Sequence, residues 1–344
     1  MSGANSFGSR LILTSFGESH GVALGAVIDG VPAGVKWDET LLSRELERRR
    51  PGQSAVVSSR GEKDEAEVLS GVFDGKTLGT PIAIIIRNHD ARSGDYKEIA
   101  KKPRAGHADD VWKKKFGHSD PRGGGRSSGR ETVSRVIAGA VAQMILKQAA
   151  PKLRVTGFAS QIGPYVLTEK DLRALNKSKS RYPADDFVAR FPSAMQEEGV
   201  EKTLLDAKIE GHSYGGLAEV WVDGVPASLG QPVFHKLKAD LASACMSLGA
   251  TSGFELGAGF GATRAEGSKF HKGEGEAYGG IRGGISTGER LIFRVGFKPT
   301  SSVLDVAKKG RHDPCIVPRA IPVLEAMTYH VLADHLLWMR SDRV

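Results

Sequence analysis

Cysteine is scarce in this chain of 344 residues, which contains only Cys245 and Cys315. So few cysteines exclude a disulfide framework, and no group of His and Cys has the spacing of metal ligands, so no metal is expected. The chain also lacks any run of about 18 apolar residues that could span a membrane. Its first ten residues, MSGANSFGSR, lack the basic and apolar regions of a signal peptide. We therefore expect a cytoplasmic protein.

Glycine is abundant instead, with 43 residues that cluster at 117–129, 253–261 and 273–288. Glycine lets the backbone pass close to a ligand or adopt a positive φ, so these segments are candidate binding loops. The formal net charge is +8 and the pI is about 9.4. This charge is compatible with nucleic acid, an anionic membrane surface or acidic metabolites as partners, and composition does not choose among them.

The pattern of apolar residues predicts a mixture of helices and strands. Strands are expected within residues 10–28, at 80–86, over LAEVWVDG (217–224) and over ERLIFRVGF (289–297). Helices are expected after the cap residue Asp38, after a Ser128–Glu131 capping box, near 233–248 and from about 318. The helix after the capping box carries apolar side chains at three-and-four spacing, so one of its faces belongs to the core.

Two distant segments resemble each other. SHGVALGAVIDGVPAG (19–34) and SYGGLAEVWVDGVPAS (213–228) share Ser, Gly, DGVPA and the apolar pattern between them. A shared turn chemistry arising by chance is one interpretation. The preferred one is a single domain over 1–344 with two related halves, at about 10–150 and 210–340, and a polar helical insertion at about 167–208.

A glycine-rich loop with several arginines precedes the first long apolar helix. In PRGGGRSSGRETVSRVIAGAVA (121–142), Arg122, Arg126 and Arg130 lie four residues apart. Guanidinium groups bind phosphate and carboxylate bidentately, and the free N–H groups of a helix N-terminus favour the same anions. The loop therefore predicts a site for a small anion. An RNA-binding segment is the alternative, although such segments are usually longer and contain aromatic residues.

Two histidines lie among small residues, where a ring can reach a ligand. His20 is in GESHG, and His107 is in RAGHADD close to Arg104. Histidine transfers protons near neutral pH, and Arg104 could orient a phosphate that His107 protonates. For each histidine, a structural role in a loop or surface turn is the alternative.

Two polar segments near the C-terminus complete the candidate chemistry. GFKPTSS (296–302) offers a lysine and three hydroxyls that suit a phosphate or a ribityl chain. In KGRHDPC (309–315), Asp313 could act as a base or proton relay, although Asp before Pro is also common in turns.

Seven motifs of this chain occur in the order typical of the chorismate synthase family, and the resemblance covers nearly the whole chain. They are GESHG, RRRPG, the Arg-x-Gly-His-Ala-Asp segment, GGGRSSGRET, GGISTGE, KPTSS and GRHDPC. The resemblance implies an α+β fold, a pseudo-symmetric β-α-β sandwich with central helices packed between antiparallel sheets. It also implies a homotetramer with no nucleic acid or membrane partner.

The activity implied by the resemblance is the 1,4-anti elimination of phosphate from 5-enolpyruvylshikimate 3-phosphate, which gives chorismate. This reaction requires reduced FMN although it causes no net redox change. The FMN is reduced either by an intrinsic NADPH-dependent activity or by an external flavin reductant, and the length of this chain favours the external one.

The resemblance also implies roles for individual residues. His20 would hydrogen-bond or protonate the reduced flavin, His107 would serve the departing phosphate, and Asp313 would assist proton removal. The implied substrate-binding residues are Ser19, Arg49, Arg104, Arg130 and Arg311. The implied FMN-binding residues are Arg126, Ser127, Ser128, Gly249, Ala250, Gly283, Lys298, Pro299, Thr300, Ser301, Ser302 and Arg311.

The sequence departs from the family pattern at three places. Ala105 replaces a common Pro, Ala55 lies where some members have a second arginine, and the link VLDVAKK (303–309) is short. Two other functions stay open at this point. A nucleic-acid-binding protein would lose affinity steeply with salt, and a flavin-dependent oxidoreductase would consume one hydride donor per turnover.

Overall fold

The computed structural model describes residues 3–50, 56, 64–88, 106–108, 110–120, 122–272, 275–304 and 313–343. Its strands are β1 (Ser6–Phe7), β2 (Ile12–Phe16), β3 (Ala23–Asp29), β4 (Ala66–Val68), β5 (Val72–Phe73), β6 (Lys76–Thr77), β7 (Ile82–Arg87), β8 (Arg154–Ile162), β9 (Tyr165–Val166), β10 (Gly216–Asp223), β11 (Thr251–Leu256), β12 (Ile281–Arg282), β13 (Ile285–Ser286) and β14 (Leu291–Phe297). Its α-helices are α1 (Glu39–Arg49), α2 (Val111–Phe116), α3 (Thr132–Ala149), α4 (Glu169–Asn176), α5 (Glu197–Glu210), α6 (Leu237–Met246), α7 (Gly267–Phe270) and α8 (Val317–Met339).

Ten of these strands form two five-stranded sheets, and every pairing within them is antiparallel. The first sheet has the order β1-β2-β3-β7-β4, and the second has the order β9-β8-β10-β14-β11. Each sheet is accompanied by a small hairpin, β5–β6 or β12–β13. From the middle strand onward the two sheets follow the same chain order, β3-β7-β4 and β10-β14-β11, whereas the first two strands are exchanged, β1-β2 against β9-β8.

The two similar sequence segments supply the middle strand of each sheet. The first contains β3, which pairs with β2 and β7, and the second contains β10, which pairs with β8 and β14. A turn and a helix follow each of them, α1 after β3 and α6 after β10. Equivalent stretches of sequence thus occupy equivalent positions in the two sheets.

Two long helices lie between the sheets. α3 packs on β2 and β3, α8 packs on β8 and β10, and the two helices pack on each other. They approach closely because Gly139 of α3 has no side chain: a Cβ there would lie 2.7 Å from the carbonyl oxygen of Ala326 in α8. Nearly all of α8 from Val317 to Leu336 is buried. The expected α+β sandwich, with central helices between antiparallel sheets, is confirmed.

The local signals at the helix ends are only partly realised. Asp38 caps α1 as expected, because its side chain accepts a hydrogen bond from the Leu41 N–H (2.9 Å). The capping box of Ser128 and Glu131 is not formed. Ser128 instead caps a short 3-10 turn at Gly129–Glu131, and the Glu131 carboxylate pairs with Arg135 at 3.1 Å. α3 therefore begins only at Thr132.

The polar segment between β9 and β10 is helical, with α4, a 3-10 turn at Val188–Arg190 and α5. Its capped helix α4 begins at the Thr168–Asp171 capping box. Part of this segment reaches the central helices, since the Arg190 side chain is buried. Within the described residues, no helix has the length and apolar character needed to cross a membrane.

Candidate active site

A cavity of about 690 Å³ lies where the first turns of α3 and α8 meet three loops. The loops are 106–108, 247–250 and 298–302. Charged side chains line one part of the cavity, and another part is apolar. The apolar lining residues include Phe7, Leu248, Ile316, Val323 and Met327.

Two predicted substrate-binding arginines share one buried carboxylate. Asp64 accepts hydrogen bonds from Nη1 of Arg49 (3.0 Å) and from Nη1 of Arg130. Arg49 also donates from Nη2 to the carbonyl of Gly129 (2.9 Å) and from Nε to Thr132 Oγ1 (3.1 Å). The side chains of both arginines and of Asp64 are less than 5% exposed. One carboxylate therefore fixes two guanidinium groups in the cavity wall and leaves the trio with a net positive charge.

Arg126 connects the arginine loop to the first sheet. Its Nη1 donates to the carbonyl of Gly17 (2.9 Å) and its Nη2 donates to Ser15 Oγ (2.9 Å). Arg122, four residues earlier, does not line the cavity; its exposed side chain pairs with Asp120 at 2.8 Å. Although Arg122, Arg126 and Arg130 lie four residues apart, they therefore do not all line the cavity, because the 3-10 turn carries Arg122 away.

Arg135 occupies the cavity in place of Arg122. It donates to Ser247 Oγ (2.7 Å) and to the Ser247 carbonyl (3.2 Å), which anchors the turn that continues to Ala250. Ala250 has a φ of 69°, so this turn takes up a left-handed conformation. A Cβ on Gly249 would meet no atom within 4 Å, so bare backbone faces open space there.

The loop with His107 is held against the KPTSS segment. Lys298 Nζ donates to the Gly106 carbonyl (2.9 Å), and Ser301 Oγ donates to the same carbonyl (3.0 Å). These two bonds bring the residue before His107 to the end of β14. The predicted general acid and the predicted phosphate-binding hydroxyls consequently line the same cavity.

Asp313 lies at the opposite end of this polar wall, before the first turn of α8. Its Oδ2 accepts a hydrogen bond from Nη1 of Arg319 (2.6 Å), and its backbone carbonyl accepts one from Thr300 Oγ1 (3.1 Å). The neighbouring Cys315 is buried, and burial raises the pKa of its thiol to about 12. Cys315 is therefore protonated at neutral pH and is not a nucleophile.

The structure gathers most of the predicted site residues around this cavity. Those that line it are Arg49, His107, Arg126, Ser127, Ser128, Arg130, Gly249, Ala250, Lys298, Pro299, Thr300, Ser301, Ser302 and Asp313. Arg104, Arg311, Ala55, Ala105 and most of the 303–309 link lie outside the described residues.

Three predicted site residues do not line the cavity. Ser19 and His20 are close to the arginine loop: the Ser19 N–H donates to the Gly125 carbonyl (3.3 Å), and His20 Nδ1 is 3.2 Å from Ser19 Oγ. Gly283 lies farther away, in the turn of the β12–β13 hairpin, where the adjacent Gly284 packs on Lys236.

Sequence reasoning missed four polar or aromatic members of the site: Asp64, Arg135, Arg319 and Trp112. Trp112 lines the cavity from α2 and contacts Phe116, with the ring centroids 5.3 Å apart. Arg135 was visible in the arginine-rich stretch. Asp64 and Arg319 gave no local signal, because their role depends on partners that the fold brings to them.

The donor set fits a phosphorylated flavin. A phosphate and a ribityl chain would find several donors here: the hydroxyls of Ser127, Ser128 and 300–302, the Lys298 ammonium and the open backbone at Gly249. The apolar part of the lining suits a flat ring. Across the part of the chain that the structure describes, no group of three or more His, Cys, Asp or Glu residues is arranged to hold a metal ion.

Comparison with known proteins identifies the family. The chorismate synthase family model matches residues 11–337. A chorismate synthase from Bdellovibrio bacteriovorus is 63% identical over 99% of both chains, and one from Opitutus terrae is 44% identical over 98% of this chain and 97% of its own length. A crystal structure of chorismate synthase superposes with a TM-score of 0.77 at 32% identity, covering 97% of this chain and 93% of that one. This chain therefore belongs to the chorismate synthase family, lyases that use reduced FMN to convert 5-enolpyruvylshikimate 3-phosphate into chorismate.

Proposed function

We propose that the cavity between the first turns of α3 and α8 is the place where this chain performs the reaction of its family. The observation that supports this best is the convergence of cationic groups and two proton-transfer groups on one cavity. The proton-transfer groups are His107 and Asp313, and the cationic groups are Arg49, Arg126, Arg130, Arg135, Lys298 and Arg319.

The substrate carries a phosphate and two carboxylates, and FMN adds a second phosphate. Burying so many anions without partners would be prohibitively unfavourable, so the cavity must supply fixed positive charge. We assign Arg49 and Arg130 to substrate anions, together with Arg104 and Arg311. Asp64 holds the first two guanidinium groups in place before the substrate arrives, so less entropy is lost on binding.

Elimination of phosphate requires a proton for the departing group and a base for the proton that leaves the ring. We assign His107 to the phosphate, because Gly106 is tied to the phosphate-binding segment by Lys298 and Ser301. We assign Asp313 to the ring proton, and Arg319 holds its carboxylate in one orientation. Ser19 and His20 would contact the ligands from the rim near Gly125.

The residues that would hold FMN are Arg126, Ser127, Ser128, Gly249, Ala250, Gly283, Arg311 and those from Lys298 to Ser302. When bound in its reduced form, FMN supplies a transient electron that assists the loss of phosphate. Bare backbone at Gly249 and hydroxyls at 300–302 support the assignment. Gly283 is the weakest member of this set because it does not line the cavity.

Anaerobic turnover with dithionite-reduced FMN tests the assignment of the reaction. Chorismate absorbance and phosphate release should rise in equal amounts, and both should stop when the flavin is oxidised or omitted. A flavin-dependent oxidoreductase would instead consume one hydride donor per turnover and release no phosphate. A nucleic-acid-binding protein would show neither activity.

The role of His107 is tested by His107→Ala, with His118→Ala as a matched control in the same part of the chain that does not line the cavity. General-acid help contributes typically about 10²–10⁴-fold, so His107→Ala should lower kcat by at least about 100-fold. A loss within about threefold would exclude this role.

We also propose a homotetrameric cytoplasmic enzyme built from two related halves, 10–150 and 210–340, with an insertion at 167–208. The shared order of the last three strands of each sheet, β3-β7-β4 and β10-β14-β11, supports the halves. Exposed apolar side chains such as Phe234 (88% exposed) support further assembly. Light scattering at micromolar concentration should give the mass of four chains, and the mass of one chain would refute the assembly.

A further inference from the structure

Arg190 is a buried arginine that is not among the residues lining the cavity. It ends the 3-10 turn Val188–Arg190 in the polar segment between β9 and β10. Arg190 and Ala189 both have a positive φ, 52° and 56°, although neither is glycine. Such a conformation persists only where surrounding contacts hold it. The buried Arg190 side chain makes contacts of this kind.

The Arg190 guanidinium donates to two backbone carbonyls on different helices. Nη2 donates to the carbonyl of Arg48 in the last turn of α1 (2.8 Å), and Nη1 donates to the carbonyl of Pro318 in the first turn of α8. The residues that directly follow these two carbonyls are Arg49 and Arg319. Both of them line the cavity.

Neither carbonyl has its usual partner within its own helix. The carbonyls of the last turn of an α-helix have no donor four residues ahead, and Arg48 is in that turn. The Pro318 carbonyl would normally accept from residue 322, but that residue is Pro322, which has no N–H. One planar guanidinium supplies both missing donors, which a lysine ammonium could not do in the same geometry.

Charged neighbours hold the Arg190 guanidinium in this orientation. Asp185 Oδ1 accepts from Arg190 Nε (2.6 Å), and Asp185 Oδ2 accepts from Arg48 Nε (2.6 Å). Arg48 pairs in turn with Glu325 of α8 (2.6 Å). Burial alone would raise the pKa of Asp185, but the hydrogen bonds from Arg48 and the charge of Arg190 lower it, so it stays ionised at neutral pH.

We propose that Arg190 is a positioning residue for the substrate site: it joins the end of α1 to the start of α8 and thereby fixes Arg49 and Arg319 relative to each other. It touches no substrate. This inference rests on the proposed site, because it assumes that Arg49 binds the substrate and that Arg319 orients Asp313. A segment that the sequence presents as an outer insertion thus sets the spacing of two cavity arginines.

The first test measures the backbone and does not depend on activity. Arg190→Lys keeps the positive charge and loses the planar guanidinium. Arg294→Lys is the matched control, because Arg294 also bonds a carboxylate (Glu219, with Glu255 at 3.8 Å) and a backbone carbonyl (Gly257) without lining the cavity. Hydrogen exchange at the amides of Arg50, Arg319 and Ala320, which are bonded within these two turns, should speed up at least about tenfold in Arg190→Lys alone. Unchanged exchange at these amides would overturn the proposal.

The second test measures coupling to the chemistry. Arg190→Lys should lower kcat/KM at least about tenfold, and the control should not. In the double variant with Arg319→Lys, the loss should fall short of the product of the single losses by at least about threefold, because both changes remove the same positioning. Independent, multiplicative losses would overturn the inference. If Arg319→Lys alone had no effect, the proposed site would fail instead.

Pro322→Ala offers a rescue that a merely structural role would not predict. It restores an N–H to residue 322, which can then satisfy the Pro318 carbonyl without Arg190. We expect Pro322→Ala to slow exchange at Arg319 and Ala320 in the Arg190→Lys background while leaving exchange at Arg50 fast. If Pro322→Ala changed hydrogen exchange equally in the two turns, this result would contradict the proposal that Arg190 bonds both carbonyls. If Arg190→Lys does not fold, Asp185→Asn is used for the same measurements with the same expected directions. It removes the carboxylate charge that holds Arg190 Nε and the Arg48 guanidinium, and it leaves both carbonyl contacts of Arg190 in place.

Discussion

Asp64 is the residue whose replacement tests the anion site most directly. Asp64→Asn keeps the shape of the side chain but removes the buried negative charge that Arg49 and Arg130 share. Breaking a buried ion pair removes about 3–5 kcal/mol of stability, and Asn retains one acceptor oxygen, so we expect a loss of about 3 kcal/mol. For a chain of 344 residues, the unfolding entropy converts this loss into a fall in Tm of about 4 °C.

The response to phosphate distinguishes an anion site from an ordinary buried ion pair. In Asp64→Asn, two guanidinium groups in the cavity wall lose the negative charge of Asp64, so inorganic phosphate should stabilise the variant more than the unmodified chain. A ligand at about ten times its Kd adds about 1.4 kcal/mol, which is about 2 °C here. Scanning fluorimetry with and without millimolar phosphate, at constant ionic strength, measures both effects.

Glu219→Gln is the matched control for this experiment. Glu219 is also buried, and it accepts hydrogen bonds from Arg294 Nε (2.8 Å) and from Trp221 Nε1 (2.6 Å) in the second sheet, where none of the three residues lines the cavity. It should lose a comparable amount of stability and gain no extra response to phosphate. An equal phosphate response in the two variants, or a smaller one in Asp64→Asn, would refute the assignment of Arg49 and Arg130 to substrate anions.

Three further predictions concern the core. Gly139→Ala should lower the free energy of unfolding, measured in denaturant titrations, by more than about 2 kcal/mol, because a Cβ there overlaps the backbone at Ala326. The control Gly267→Ala, in the exposed helix α7, should be nearly neutral. Burial lowers the pKa of His330, although the negative charge of Asp334 opposes this shift, so the imidazole binds a proton more readily in the unfolded chain than in the folded one. Stability should therefore fall as pH drops below about 6.5, and this group contributes at most about 1.4 kcal/mol per pH unit. The fall in stability with decreasing pH should be shallower in His330→Gln than in the control His271→Gln, and equal slopes in the two variants would contradict this role of His330. Burial raises the pKa of Cys245 and Cys315 to about 12, so neither thiol should react with a disulfide reagent at pH 8 until the chain unfolds.

The sequence alone determined the elements whose signals are local. The Asp38 cap, the apolar run at 80–86 and the repeated DGVPA turns each depend on residues within a few positions. They correctly predicted α1, β7 and the equivalent strands β3 and β10, with β7 observed at Ile82–Arg87. The family resemblance carried by the short motifs named residues of several segments that line the cavity, although Ser19, His20 and Gly283 do not line it. The Ser128–Glu131 capping box failed because Glu131 has a stronger partner in Arg135, one turn further along.

Only the tertiary structure decided which partner each buried charge would find. Asp64 is 66 residues from Arg130, and Arg190 is 142 residues from Arg48 and 128 from Pro318, so no periodicity or spacing connects them. A buried charge or an unsatisfied carbonyl must be paired, but the chain offers many acidic and basic residues that could do so. The packing of α3 against α8 selects among them, because it fixes which side chains reach the helix ends where Arg49, Arg130 and Arg319 enter the cavity.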